Sequence, residues 1–140
     1  MNGACACGAV TVTLDVARPS VHACRCEACR AWTGSAFLSM HAEASEVRID
    51  GPVRAYRSSE HGERGFCSTC GATLFFRMTA SDIVSYGVAA GLFPDAADLP
   101  LKAEYFANET DGFRIGGSHP RLNEAQTIER SRPRRGGAPR

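Results

Sequence analysis

The stretch "GAVTVTLDV" sets Val10, Val12 and Leu14 at every second position, with threonines between them. A period of two is that of a strand with one buried face, because successive side chains on extended backbone point to opposite sides. The pattern predicts a strand over residues 9–15 and further short extended runs at 35–40, 45–49, 52–57, 72–78 and 82–89. In the last run, Asp82, Ile83, Val84 and Tyr86 lead into "GVAAG" and read as a central strand. Gly and Pro punctuate the runs, as in "IDGPV" and "HGERG". "FPDAADLP" reads as a turn or one helical turn that Asp95 is able to cap. Nothing supports a long helix, so the class is mainly β.

Composition adds the frame. A chain of 140 residues with 44% apolar and 22% charged positions is one globular domain's worth. The opening "MNGACACG" lacks a basic segment followed by an apolar one, and no apolar run reaches membrane-spanning length. A reducing cytoplasm is therefore the expected compartment, with no membrane contact. The net charge of +1 hides a split. Residues 129–140, "ERSRPRRGGAPR", hold five Arg against one Glu, a net of +4. Residues 1–128 hold 11 Lys plus Arg against 14 Asp plus Glu, a net of −3. The expected organisation is one folded domain over 1–128 and a disordered basic tail over 129–140, read as a solvated extension rather than a nucleic-acid arm.

Seven cysteines change the picture most. They fall as Cys5-x-Cys7, Cys24-x-Cys26-x-x-Cys29 and Cys67-x-x-Cys70, all in the first half of the chain. An odd count, a reducing compartment and neighbours too close for relaxed bridges argue against disulfides. Scattered core thiols would not cluster at ligand spacings. Zinc remains. Cys5 and Cys7, placed on the first strand, would aim both thiolates to one face. Cys67-x-x-Cys70 followed by Gly71 has the form of a knuckle that brings two sulfurs to tetrahedral spacing. Together the two pairs make one closed structural site and close a loop of about sixty residues, so the metal should contribute strongly to folding. Cys24, Cys26 and Cys29 are left as three ligands with one position to fill. Either His22, His41, His61, His119 or Glu27 closes the set, or the position is open, as in a catalytic or substrate-binding zinc.

These motifs resemble a known family. "GACACGAV", then "CRCEACR" with Gly34 a few residues on, then "YRSS" and "RGFCSTCG" are similar to the glutathione-dependent formaldehyde-activating enzymes and the CENP-V type zinc domain, from about Gly3 to about Gly91. The resemblance implies an Mss4-like fold of antiparallel sheets clipped by zinc sites. It implies two zinc ions per chain, a structural one on Cys5, Cys7, Cys67 and Cys70 and a second on Cys24, Cys26 and Cys29. The activity it implies is that of a carbon–sulfur lyase handling S-hydroxymethylglutathione, formed from formaldehyde and glutathione. One region departs from the family pattern: "PLKAEYFANETDGFRI" has Ala103, Glu104 and Tyr105 where a His is expected, and no Trp.

Three thiolates around Zn²⁺ leave a net charge of −1 and a weak Lewis acid, better suited to holding a soft substrate thiolate than to activating water. On this reading Cys24, Cys26 and Cys29 are the catalytic set and a small thiol such as glutathione is the partner. Its carboxylates call for cations, and Arg30, Arg64 and Arg25 lie close in sequence to the ligands. Trp32 and Phe37 would wall the pocket, and His61 would shuttle a proton. Each has an ordinary alternative: surface arginines, core aromatics, an exposed loop histidine. Two other classes stay open. One is a non-catalytic zinc interaction module or thiol carrier, and the other is a redox or metal-buffering protein.

Overall fold

The computed structural model describes residues 1–79, 84–110 and 116–131. Among the described residues ten strands make two sheets. The smaller joins β1 (Asn2–Ala4), β2 (Thr11–Leu14) and β5 (Val47–Asp50) in the order β1-β2-β5, all antiparallel. The larger holds β3 (Val21–Cys24), β4 (Phe37–Glu43), β6 (Val53–Ser59), β7 (Gly62–Cys67), β8 (Thr73–Met78), β9 (Ser85–Ala89) and β10 (Leu101–Tyr105). Its order is β10-β3-β4-β9-β8-β7-β6, antiparallel throughout except for the parallel pair β10–β3. The fold is mainly β, as the alternation predicts.

One core serves both sheets. Val12 and Leu14 of β2 are buried together with Met40, Leu74, Phe75 and Val88 of the large sheet. The period-two pattern is thus realised as a strand that turns its apolar side inward. At 45–49 the expected strand starts late, because Ala44–Glu46 first make a short helical turn. Glu43 and Glu46 box that turn, each side chain accepting from the other's backbone N–H.

Two expectations are corrected. Cys5 and Cys7 do not lie on a strand but in the turn between β1 and β2. Gly8, at φ 76°, takes the left-handed conformation that lets its N–H reach back to the Cys5 carbonyl at 2.9 Å. Asp95 does not cap its helical turn. The turn Pro94–Asp98 starts after Phe93 without a side-chain cap, and Asp95 lies inside it. Asp82 and Ile83 of the expected 82–89 strand fall outside the described residues, and the strand is seen from Ser85.

The helices are short. α1 (Glu27–Thr33) follows Cys26 directly and ends at Gly34, whose φ of 70° closes it through an N–H bond to the Arg30 carbonyl at 2.8 Å. α2 (Glu124–Ser131) is started by Asn123 and Gln126, each side chain accepting the other's backbone N–H at 2.9 and 3.0 Å. α2 carries the first three residues assigned to the basic tail, while 132–140 lie outside the described residues.

Candidate metal centres

The first cluster joins two glycine-closed turns. Cys67 ends β7, and its carbonyl accepts the Gly71 N–H at 2.9 Å, with Gly71 at φ 75°. The Cys5 turn is likewise closed by a left-handed glycine, but one residue sooner, with Gly8 bonding three positions back and Gly71 four. The Sγ atoms of Cys5 and Cys7 are 3.5 Å apart, those of Cys5 and Cys67 3.7 Å, and those of Cys7 and Cys67 3.9 Å. A tetrahedron with metal–sulfur bonds of 2.3 Å has edges of about 3.8 Å. Cys70 completes a set whose sulfurs all lie within 4.8 Å of one another. None of the cysteines is bridged. The four sulfurs fit a tetrahedral zinc ion and not a disulfide pair. The Val10 N–H, 3.2 Å from Cys5 Sγ, holds the Cys5 thiol down to about 6, which favours the thiolate that a metal takes.

The second cluster is assembled by β3 and α1. Cys24 ends β3 between Phe37 of β4 and Tyr105 of β10. Cys26 precedes α1 in extended conformation, and Cys29, in the first turn of α1, is buried. The three sulfurs lie within 4.8 Å of one another, and among the described residues no histidine or carboxylate joins them. Hydrogen bonds from Cys24 and Cys29, with the Arg64 charge nearby, push the Cys26 thiol well below the thiol range, while its bond to Cys26 drives Cys24 the other way. Three convergent sulfurs, one of them favouring the thiolate, fit a metal held on three protein ligands.

His22, the most direct candidate for a fourth ligand, is occupied elsewhere. Its ring stacks on His41 at 4.3 Å and lies 5.5 Å from Tyr105. Burial, then the neighbouring His41, push His22 down to about 3, so it stays neutral. Glu27 is exposed, His61 sits exposed in the turn between β6 and β7, and neither joins a cluster. His119 instead belongs to a buried carboxylate site.

That site is one the sequence did not suggest. Arg25, between two ligand cysteines, turns inward and is 1% exposed; Glu104 of β10 is 0% exposed. Arg25 donates to Glu104 Oε2 at 3.1 Å, to the Ala107 carbonyl at 3.1 Å, and to the Thr110 carbonyl. His119 and Arg121 both bond to Glu104 Oε1, Arg121 at 3.2 Å. Arg25 is therefore not a cation available to substrate. It anchors the Cys24–Cys26 segment to the C-terminal part of the domain.

The remaining predicted residues gather around Cys29. Arg64 of β7 places one guanidinium nitrogen 3.7 Å from Cys29 Sγ and donates another to Ser58 Oγ. Its guanidinium carbon lies 5.4 Å from the Trp32 ring and 5.2 Å from the Phe76 ring. Gly62 makes room for this packing, because a Cβ there would fall 2.3 Å from the Phe76 ring. Arg30 is half-buried at the rim, donating to the Arg25 carbonyl at 2.5 Å and to Glu109 at 3.4 Å. Trp32 packs on Phe37 at 5.1 Å and walls a shallow groove of about 430 Å³, lined also by Ala6, Ala36, Ala72 and Leu92. Among the described residues no helix is long and apolar enough to cross a membrane.

Known proteins resemble this chain in sequence and fold. A family model for glutathione-dependent formaldehyde-activating enzymes matches residues 1–109. A Schizosaccharomyces pombe protein named as an uncharacterized lyase is 31% identical over 125 residues, which are 81% of this chain and 90% of the relative. A crystal structure of a Rhodobacter sphaeroides protein superposes with a TM-score of 0.58 at 23% identity, covering 73% of this chain and 100% of that one; it supports the fold. The span of the family match includes all seven cysteines, and the chain belongs to the family of glutathione-dependent formaldehyde-activating enzymes.

Proposed function

We propose that this protein is a carbon–sulfur lyase that joins formaldehyde to a small thiol, with glutathione as the first candidate, and cleaves the same S-hydroxymethyl adduct in reverse. The observation that carries the reading is the triple of Cys24, Cys26 and Cys29, whose sulfurs converge without a fourth protein ligand among the described residues. A zinc ion held there supplies an open position for a soft substrate sulfur and lowers the acidity barrier to forming the thiolate. The chain's own residues supply the rest. Cys24, Cys26 and Cys29 hold the centre, and the Arg25–Glu104 anchor fixes the segment carrying the first two. Arg30 at the rim offers a cation to a substrate carboxylate, since among the described residues the carboxylate it pairs with is the partly exposed Glu109. Trp32 gives the groove an apolar wall for the substrate backbone. Cys5, Cys7, Cys67 and Cys70 hold a separate structural zinc and take no part in the chemistry.

Bond making balances without a redox partner. The thiol loses its proton to solvent, the sulfur pair forms the new C–S bond, and the C=O π pair moves to oxygen, which takes up a proton from water. The experiment is ¹³C-formaldehyde exchange with glutathione, followed by NMR, alongside metal content per chain. Two zinc ions and adduct exchange faster than the uncatalysed background support the reading. Exchange at the background rate, with both metals in place, overturns it. The alternative, a non-catalytic interaction module, rests on the basic tail and on the missing His and Trp of the late motif; residues 132–140 of that tail lie outside the described part of the chain.

A further inference from the structure

We infer that Arg64 is a catalytic cation of the second centre: it balances the sulfur charge of the Cys24–Cys26–Cys29 triple and stabilises the oxyanion formed when a thiolate adds to a carbonyl. This rests on the thiol–aldehyde reading above. It assigns Arg64 a role at the reacting atoms in place of the carboxylate-binding role expected from the sequence.

The argument starts from an imbalance between two buried arginines. Burying a guanidinium is unfavourable unless it is paired and its donors are used. Arg25 meets both conditions through Glu104 and two carbonyls. Arg64, only 7% exposed, meets neither in the ordinary way. Among the described residues no carboxylate lies within ion-pair reach of it, and its buried Nε–H has no partner. Its neighbours are the Ser58 hydroxyl, the faces of Trp32 and Phe76, and the sulfur of Cys29. The ring faces attract the cation but carry no net charge to neutralise it. Among the described residues that leaves the Cys29 sulfur, a thiolate once a metal is held, as its anionic partner. Three thiolates around a divalent ion carry a net charge of −1, and one guanidinium brings the centre to zero.

The same placement suits the chemistry. When a thiolate sulfur adds to formaldehyde, one negative charge moves from sulfur to oxygen over a distance of two bonds. A donor already fixed beside the sulfur cluster, with an N–H unspent, meets that charge without reorganising. Arginine stays protonated, so its part is a charge-assisted hydrogen bond and the proton for the alkoxide comes from water. A carboxylate clamp needs a free bidentate edge facing solvent. Here one terminal nitrogen is turned to Ser58, another to Cys29, and the Trp32 and Phe76 rings pack against the guanidinium.

The test compares Arg64→Gln and Arg64→Lys with wild type, using formaldehyde and two thiols, glutathione and 2-mercaptoethanol, the second lacking any carboxylate. Arg64→Gln is expected to lower kcat by about 10²- to 10³-fold with both thiols and to leave KM nearly unchanged, with Arg64→Lys regaining part of the loss. A loss confined to glutathione and appearing in KM would make Arg64 a carboxylate clamp and overturn the proposal. A second readout needs no turnover. With Co²⁺ loaded in place of zinc, the thiolate-to-cobalt charge-transfer band of the triple should move to lower energy in Arg64→Gln, because Cys29 loses its cationic neighbour. An unmoved band overturns the charge-balance claim. Wild-type protein that turns over neither thiol ends the thiol–aldehyde reading, and with it the oxyanion role, while the cobalt spectra still decide whether Arg64 balances the sulfurs.

Discussion

Around Cys5, Cys7, Cys67 and Cys70 the polar neighbours are backbone amides, whereas around Cys24, Cys26 and Cys29 they are arginines. In the first cluster the Val10 N–H faces Cys5 Sγ, and two glycine-closed turns present the thiols. In the second, Arg64 touches Cys29, and Arg25 is built into the ligand segment itself. Backbone dipoles suit a closed set that has only to be held. A fixed side-chain charge suits a set with one position left for chemistry. The two clusters are also coupled, since β7 carries Arg64 to one and Cys67 to the other.

The largest effect should come from breaking the closed set. Cys67→Ser removes a ligand that joins segments 62 residues apart. Structural zinc in small domains contributes roughly 10–16 kcal/mol at neutral pH, so the variant should lose its β-sheet circular dichroism or fail to accumulate as folded protein. A variant that folds with the wild-type midpoint would erase the distinction between the two clusters. Serine at Cys24, Cys26 and Cys29 together should give the opposite result. Metal content falls from two ions to one and adduct exchange drops to background, while the sheet signal persists.

Next in size is Glu104. Breaking a buried ion pair by removing one partner costs about 3–5 kcal/mol, and Glu104→Gln does this to Arg25, His119 and Arg121 at once. Burial works to raise the Glu104 carboxyl, but hydrogen bonds from His119, Arg121 and Arg25 outweigh it and hold it below its ordinary value of 4.5. A carboxyl lowered in the folded state adds stability that is complete above about pH 4.5 and is lost as pH falls through the folded value. Urea melts should therefore show a shallower acid loss in Glu104→Gln than in wild type. Zinc at the triple should also be stripped by a weaker chelator, because Arg25 no longer fixes the segment between Cys24 and Cys26. Equal acid slopes for the two proteins would show that the carboxylate carries no such linkage.

The two cysteine clusters were legible because metal chemistry restricts both residue type and spacing, and that restriction survives without a fold. The Cys5–Cys7 turn was not, because Val10, Val12 and Leu14 extend a strand pattern back toward it and only the φ of Gly8 breaks it. Strands β3 and β10 escaped because "VHAC" and "LKAEY" carry little alternation and gain their place from a parallel pairing with each other. The Arg25–Glu104 bond spans 79 positions, and nothing local to either residue announces it. Arg30, Arg64 and Trp32 were singled out by nearness to the ligands. Their separation into a rim cation, a buried cation and an apolar wall is a matter of side-chain direction that sequence does not carry.

The smallest predicted effect sharpens the contrast between the two arginines beside the triple. Arg30 pairs with Glu109 at 3.4 Å with both side chains partly exposed, at 22% and 32%. Such a pair contributes between nothing and about 1 kcal/mol, so Arg30→Ala should move the melting midpoint by only a few degrees. Its signature belongs in substrate binding. If the rim cation meets a carboxylate, KM for glutathione should rise about tenfold with kcat unchanged, because the contact is made equally in the ground state and the transition state. With 2-mercaptoethanol, Arg30→Ala should behave as wild type. Measured beside Arg64→Gln, the two variants should then fail in different constants and with different thiols. A KM that rises equally for both thiols would mean that Arg30 shapes the centre itself, and the division between binding rim and reacting core would have to be redrawn.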